Sequence, residues 1–251
     1  MKDRVRHPTP TAPELGTHDG LAYALFLPEG DADVGVVILH GAGSAKESHF
    51  DFARGCRADG MAALAYDARG HGHSEGSFGP GAFDDALAMA DLLRAHAPRI
   101  ALRGSSMGGF QAIHAAAEAR RGGAEDGSRG ASTAICAVVA ICPAPEDGLL
   151  RFLRSGQDLR FRCDREASEP WLAALDIHAA AASLGPETAL LLMHARGDEQ
   201  VPYTASEGIH EAATDPKRLL LVPGGHHRSI QHDDELQAVS RKFIRDAAAR
   251  A

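Results

Sequence analysis

RIALRGSSMGG (residues 99–109) runs from an apolar β-type segment into a glycine-flanked serine and on into a helical pattern. Gly104-Ser105-Ser106-Met107-Gly108 fits G-x-S-x-G with Ser106 at the centre. A strand before and a helix after are the context of a nucleophile elbow. There the central serine sits on a strained, positive-φ turn, so that its hydroxyl stands clear of the sheet. The flanking positions must be small for strand and helix to approach. Ser105 fails that test, because Arg103 and Met107 would flank it. With 27 glycines in the chain, chance matches occur, and the flanking elements give the match its weight.

Outward from this stretch, apolar runs alternate with helical patterns. Strands are expected at Leu21–Leu27, Val34–Leu39, Met61–Tyr66, Arg99–Gly104, Ala134–Cys142, Thr188–His194 and Arg218–Val222. Between them, helices are expected over 48–59, from Phe83 to about Ala97, over Met107–Ala119, near 203–213, and from Asp234 to about Ala249. Phe83, Leu87 and Ala90 set the second of these by their i, i+4, i+7 spacing. This alternation indicates βαβ units and an α/β fold, a mostly parallel sheet with helices on both faces. One domain over 1–251 is expected. Residues 1–18 read as a loose arm and 121–130 as a turn-rich loop. Residues 144–186 break the alternation, with Leu149, Leu150, Phe152, Leu153, Phe161, Trp171, Leu172 and Leu175 among many charges. A segment of that length is a small cap or a decorated crossover, and its apolar stripe lines a pocket, rests on the sheet, or does both.

Composition narrows the function classes. The chain has 251 residues, 44% hydrophobic and 24% charged, the balance of a globular protein. Lys+Arg 26 against Asp+Glu 34 gives a net charge of −8, without the broad basic field that nucleic acid or anionic membrane surfaces require. The longest wholly apolar run, Ala134–Cys142, falls well short of the roughly 18 residues of a membrane helix. MKDRVRHPTPTAPELG has no apolar core of a secretory signal. Cys56, Cys136, Cys142 and Cys163 form no CxxC pair. A reducing, cytoplasmic setting is the expectation.

An activated serine needs a base, and the base an orienting carboxylate. Asp198 follows the run TALLLMH in Arg196-Gly197-Asp198-Glu199-Gln200-Val201-Pro202, and His226 and His227 follow RLLLV in Pro223-Gly224-Gly225-His226-His227. Both positions lie at C-terminal ends of strands, where open α/β sheets place their sites. The order serine, acid, histidine is that expected after such an elbow. Glu199 reads as a solvated turn residue. Spacing alone leaves His226 and His227 as alternatives. An oxyanion also needs backbone N–H donors. Met107, just after the serine, and Ala42, in the glycine-rich stretch His40-Gly41-Ala42-Gly43-Ser44 after VGVVIL, are the candidates.

HGAGS (40–44), DARGHGHSEG (67–76), GSSMGG (104–109), RGDEQVP (196–202) and PGGHH (223–227) together resemble the α/β-hydrolase superfamily over about residues 20–250. The resemblance implies the α/β-hydrolase fold with a small cap and no cofactor. It implies Ser106 as nucleophile, Asp198 as acid and His227 as base, because the family's histidine usually follows a small residue by two, here Gly225. It implies Ala42 and Met107 as oxyanion donors. His194-Ala195 stands where many relatives carry His-Gly. The chain looks similar to dienelactone-hydrolase-like, monoacylglycerol-lipase-like and serine-aminopeptidase-like members. The expected substrate is a small or medium carboxylic ester. Thioesters, amides or peptides, a cofactor-free perhydrolase reaction and a non-catalytic small-ligand-binding module are the alternatives.

The remaining signals read as structural. His71-x-His73 and the His226-His227…His232-Asp233-Asp234 cluster lack zinc-site spacing and read as surface or loop histidines. GAGSAK (41–46) lacks the spacing of a phosphate loop. Asp67 reads as structural, and Asp84-Asp85 and Asp233-Asp234-Glu235 as solvated helix faces.

Overall fold

The computed structural model describes residues 11–125 and 134–251. Eight strands form one sheet: β1 (Glu14–His18), β2 (Leu21–Phe26), β3 (Val34–Leu39), β4 (Ala62–Tyr66), β5 (Arg99–Ser105), β6 (Ile135–Ile141), β7 (Ala189–Ala195) and β8 (Lys217–Val222). Their order is β1-β2-β4-β3-β5-β6-β7-β8. The first two pairings are antiparallel and the rest parallel. The strands β3 to β7 are buried along nearly their whole length, which is why they are apolar at consecutive positions. Successive side chains enter opposite layers. Val37 and Leu39 pack with α2 (Ala82–Leu93) and α3 (Met107–Glu125) on one face. Val36 and Ile38 share the other core with Phe52 of α1 (Phe50–Ala58) and Ile244 of α8 (Asp234–Ala248). Among the described residues no helix is long and apolar enough to cross a membrane.

Several expectations are corrected. The arm expected over 1–18 divides: residues 1–10 lie outside the described residues, and Glu14–His18 is an edge strand. Its polar sequence hides it, but the two-residue link Asp19-Gly20, at φ 49° and 78°, is the Asp-Gly signature of a tight hairpin. α2 ends at Leu93 rather than about Ala97, where Pro98 disfavours helical backbone at the residue before it, and 94–96 form a turn. α3 continues to Glu125, so the loop expected over 121–130 is helical at 121–125, and 126–130 lie outside the described residues. Asp85 is buried rather than solvated, paired with the Arg69 guanidinium at 2.9 Å. Asp233, Asp234 and Glu235 are exposed as expected, and Asp233 also caps α8, accepting from Leu236 N–H. His71 is buried, stacked on Phe161 at 4.1 Å.

Residues 144–186 hold three helices between β6 and β7: α4 (Glu146–Arg154), α5 (Arg165–Ala173) and α6 (Ile177–Ala182). Trp171 packs against Phe78, Phe83 and Phe110, so part of the apolar stripe rests on the body of the fold. Arg162 ties the segment to the turn after β4: its N–H donates to Gly70 O at 3.0 Å and its carbonyl accepts Phe78 N–H at 2.9 Å.

That turn is anchored by Asp67. Its carboxylate accepts the Lys46 N–H at 2.7 Å, the Lys46 ammonium at 2.7 Å and the His73 N–H at 2.9 Å. Burial works to raise its pKa, but the His73 N–H and the two Lys46 donors outweigh it and hold the carboxyl below its usual range. Breaking a buried, hydrogen-bonded ion pair from one side costs about 3–5 kcal/mol. Asp67→Ala should therefore lower the thermal midpoint strongly at pH 7. A depressed folded-state pKa stabilises above the ordinary carboxylate pKa and is lost as pH falls through the folded value. The gap between wild type and variant should accordingly narrow below about pH 4, followed by thermal unfolding across pH.

Candidate active site

Ser106 stands between β5 and α3 with φ 55°. A non-glycine residue there costs of order 1–2 kcal/mol, so the surroundings must hold it. They do so through three backbone bonds: Ser106 N–H to Ile141 O at 2.8 Å, and the Phe110 and Ala144 N–H groups to Ser106 O at 3.1 and 3.2 Å. Gly108 lets α3 approach the sheet. A Cβ on it would lie 2.7 Å from His40 O and closer still to Leu39 O. Ser105 is turned away from this role, its hydroxyl donating to Gln231 Oε1 at 2.6 Å.

Asp198 and His227 come together from the loops after β7 and β8. These loops are stitched by Arg196 N–H to Val222 O at 2.9 Å and Gly197 N–H to Gly224 O at 3.0 Å. His227 Nδ1 lies 2.7 Å from Asp198 Oδ2. Facing a carboxylate, Nδ1 carries the hydrogen, and Nε2 is left as the acceptor nitrogen. The same cleft is lined by Ser106 and His227. His226 is exposed, with its Nδ1 facing Arg228 N–H at 3.3 Å, and has no contact with Asp198. The two histidines left open by spacing are thus separated by geometry.

The Asp198 carboxylate collects more donors than sequence reading anticipated. Oδ1 accepts the N–H groups of Gln200 and Val201 at 2.8 and 2.9 Å. His194, fully buried, places Nε2 3.2 Å from Oδ2 and 3.0 Å from Val201 O, while its Nδ1 lies 2.7 Å from the Ser206 hydroxyl. Two acceptors at Nε2 put the hydrogen there, and Ser206 donates to Nδ1. Burial pushes the Asp198 pKa up, but the bonds from His194, His227, Val201 and Gln200 overcome this and hold it far below the usual carboxylate range. Glu199, read as a solvated turn residue, is exposed but accepts the His227 N–H at 3.1 Å. The i, i+4 spacing of His194 and Asp198 across a strand end was the signal for the first contact; nothing in the sequence marked the second.

Cys142, at φ 44° at the end of β6, brings its thiol beside the same pair. Its sulfur, an Asp198 oxygen and a His227 nitrogen lie within 4.8 Å of one another, the one such group of possible metal ligands among the described residues. Burial and the neighbouring Asp198 carboxylate push the thiol pKa well up, which keeps it protonated. The histidine clusters singled out in the sequence form no such group among the described residues.

The cleft is about 670 Å³. Gly41 and Ala42 form one edge, and a Cβ on Gly41 would lie 3.4 Å from Ser106 Cβ, so this loop rests on the elbow. His40 fixes it: Nδ1 meets Gly41 O at 2.8 Å and Nε2 accepts Ala68 N–H at 3.0 Å. Met107 is the first residue of α3, where an N–H has no intrahelical acceptor. Leu149, Phe152 and Leu159 also line the cleft, so the apolar stripe of 144–186 serves the cleft as well as the core.

The family described as "Serine aminopeptidase, S33" matches residues 30–144. The chain is similar to "Uncharacterized protein YfhR" of Escherichia coli (strain K12), 27% identical over 236 residues, covering 88% of this chain and 75% of that protein. Among solved structures it is similar to Est1E from Butyrivibrio proteoclasticus with ferulic acid bound, TM-score 0.71 at 21% identity, covering 94% of this chain and 99% of that one. It is also similar to a soluble variant of monoglyceride lipase from Saccharomyces cerevisiae in complex with a substrate analogue, TM-score 0.69 at 16% identity, covering 96% of each chain. The chain has the α/β-hydrolase fold.

Because the atoms around Gly108 are backbone carbonyls, no side chain can yield to an added methyl. Gly108→Ala should lower stability by about 3 kcal/mol or more, or abolish soluble expression, as read by denaturant unfolding.

Proposed function

We propose that this α/β hydrolase is a serine hydrolase that cleaves a small or medium carboxylic ester through an acyl-enzyme. The observation that carries the reading is the Asp198–His227 pair, 2.7 Å apart, on the same cleft as a serine held at positive φ.

In this reading His227 Nε2 takes the proton of the Ser106 hydroxyl as Oγ attacks the ester carbonyl. The carbonyl oxygen becomes an oxyanion held by the Ala42 and Met107 N–H groups. The intermediate collapses, the imidazolium returns the proton to the alcohol, and the acyl group stays on Ser106. Water, deprotonated by His227, repeats the sequence and releases the acid. Asp198 holds the imidazole tautomer and offsets its charge. The helices between β6 and β7 act as a cap over the acyl or alcohol limb through Leu149 and Phe152. No step calls for a cofactor.

Initial rates on p-nitrophenyl esters of increasing chain length test this. Ser106→Ala and His227→Ala should each lose about 10⁴-fold or more in kcat while unfolding like wild type. Asp198→Asn should lose about 10³- to 10⁴-fold. His226→Ala should stay within about threefold. Full activity of Ser106→Ala sinks the reading; an active His227→Ala beside a dead His226→Ala overturns the base alone.

A further inference from the structure

We propose that the cleft selects esters that carry a carboxylate on one limb, bound by Arg160 and Arg228. This rests on the serine-hydrolase reading and names the substrate class of the same site.

Both arginines line the cleft that holds Ser106 and His227. They reach it from different parts of the chain, Arg160 from the stretch between α4 and α5, Arg228 directly after His227. Among the described residues, neither guanidinium has a carboxylate within ion-pair distance, so both charges are available to a ligand in the cleft. Asp158 is the one carboxylate residue in the lining. Its Oδ1 accepts Arg160 N–H at 3.1 Å, a backbone contact that leaves the guanidinium free. Glu199 is turned to the His227 N–H.

Arg160 is held at φ 56°, an uncommon conformation for a long side chain, with its backbone against the loop bearing Ala42. A Cβ on Gly43 would lie 3.7 Å from Arg160 Cβ and 3.4 Å from Leu159 O. The position is therefore fixed beside the carbonyl-binding edge of the cleft. The lining thus carries two cations against one anion in a chain whose net charge is −8. A guanidinium binds a carboxylate through paired, charge-assisted hydrogen bonds. An aminopeptidase substrate presents the opposite charge, an α-ammonium, and would meet these two cations.

Monoethyl esters of the straight-chain dicarboxylic acids from succinate to suberate would be compared with their neutral ω-amides and with ω-amino ethyl esters of matching length. A second series, O-acetyl ω-hydroxy acids and their amides, places the carboxylate on the alcohol limb. At low ionic strength, kcat/KM for the best anionic ester should exceed its neutral partner about tenfold and its cationic partner by more. These cations are exposed, so the ratio should shrink as salt is raised. In Arg160→Gln/Arg228→Gln the anion-to-neutral ratio should fall about tenfold. A ratio near one for every length in both series, or a ratio unchanged in the double variant, overturns the proposal. If p-nitrophenyl acetate is cleaved through Ser106 while no anion preference appears, only the proposal falls. If Ser106→Ala cleaves it as fast as wild type, the serine-hydrolase reading falls too.

Discussion

A serine can stand at φ 55° only where the backbone on both sides is held, and this requirement organises the fold around Ser106. The turn joins the central strand β5 to α3, and its own N–H and carbonyl bond to the neighbouring strand end and to the residues after it. Close approach of α3 to the ends of β3 depends on a residue without a side chain at Gly108. The same approach sets the loop of Gly41 and Ala42 against the elbow. Strain in one residue is thus offset by the following helix and by two segments distant in sequence, the ends of β6 and β3, a pattern characteristic of sites where strain is part of the mechanism.

The second organising element is the Asp198 carboxylate. It is buried, and a buried carboxylate is costly unless its lone pairs are satisfied. Two backbone N–H groups and two imidazoles satisfy them. His194, backed by the Ser206 hydroxyl, supports the Asp198 carboxylate and does not line the cleft. His227 is held twice, through its ring by Asp198 and through its backbone by Glu199. The resulting pair has little freedom to turn, and the imidazole is held in one tautomer.

The fold was legible because buried parallel strands must be apolar at consecutive positions, and VGVVIL and ICAVVAI are. β1 was not, since an edge strand facing solvent needs no apolar pattern; only the Asp19-Gly20 turn betrayed it. Asp85 misled for a related reason. Its charge suggested solvent, but the partner that permits burial, Arg69, lies sixteen residues earlier in another element. In the site, the G-x-S-x-G elbow and the strand-end positions of Asp198 and His227 could be read locally. The choice between His226 and His227 could not, because it depends on which ring the loop after β8 turns toward Asp198. The Cys142 thiol and the Glu199 contact are likewise products of loops meeting in space.

The most direct measurement is intact mass after exposure to a fluorophosphonate probe, with Ser106→Ala beside wild type. If Ser106 is the proposed nucleophile, a single adduct forms on wild type and none on the variant, because an unactivated serine hydroxyl does not attack phosphorus at a useful rate. Unlabelled folded wild type, or an adduct that persists in Ser106→Ala, would contradict it.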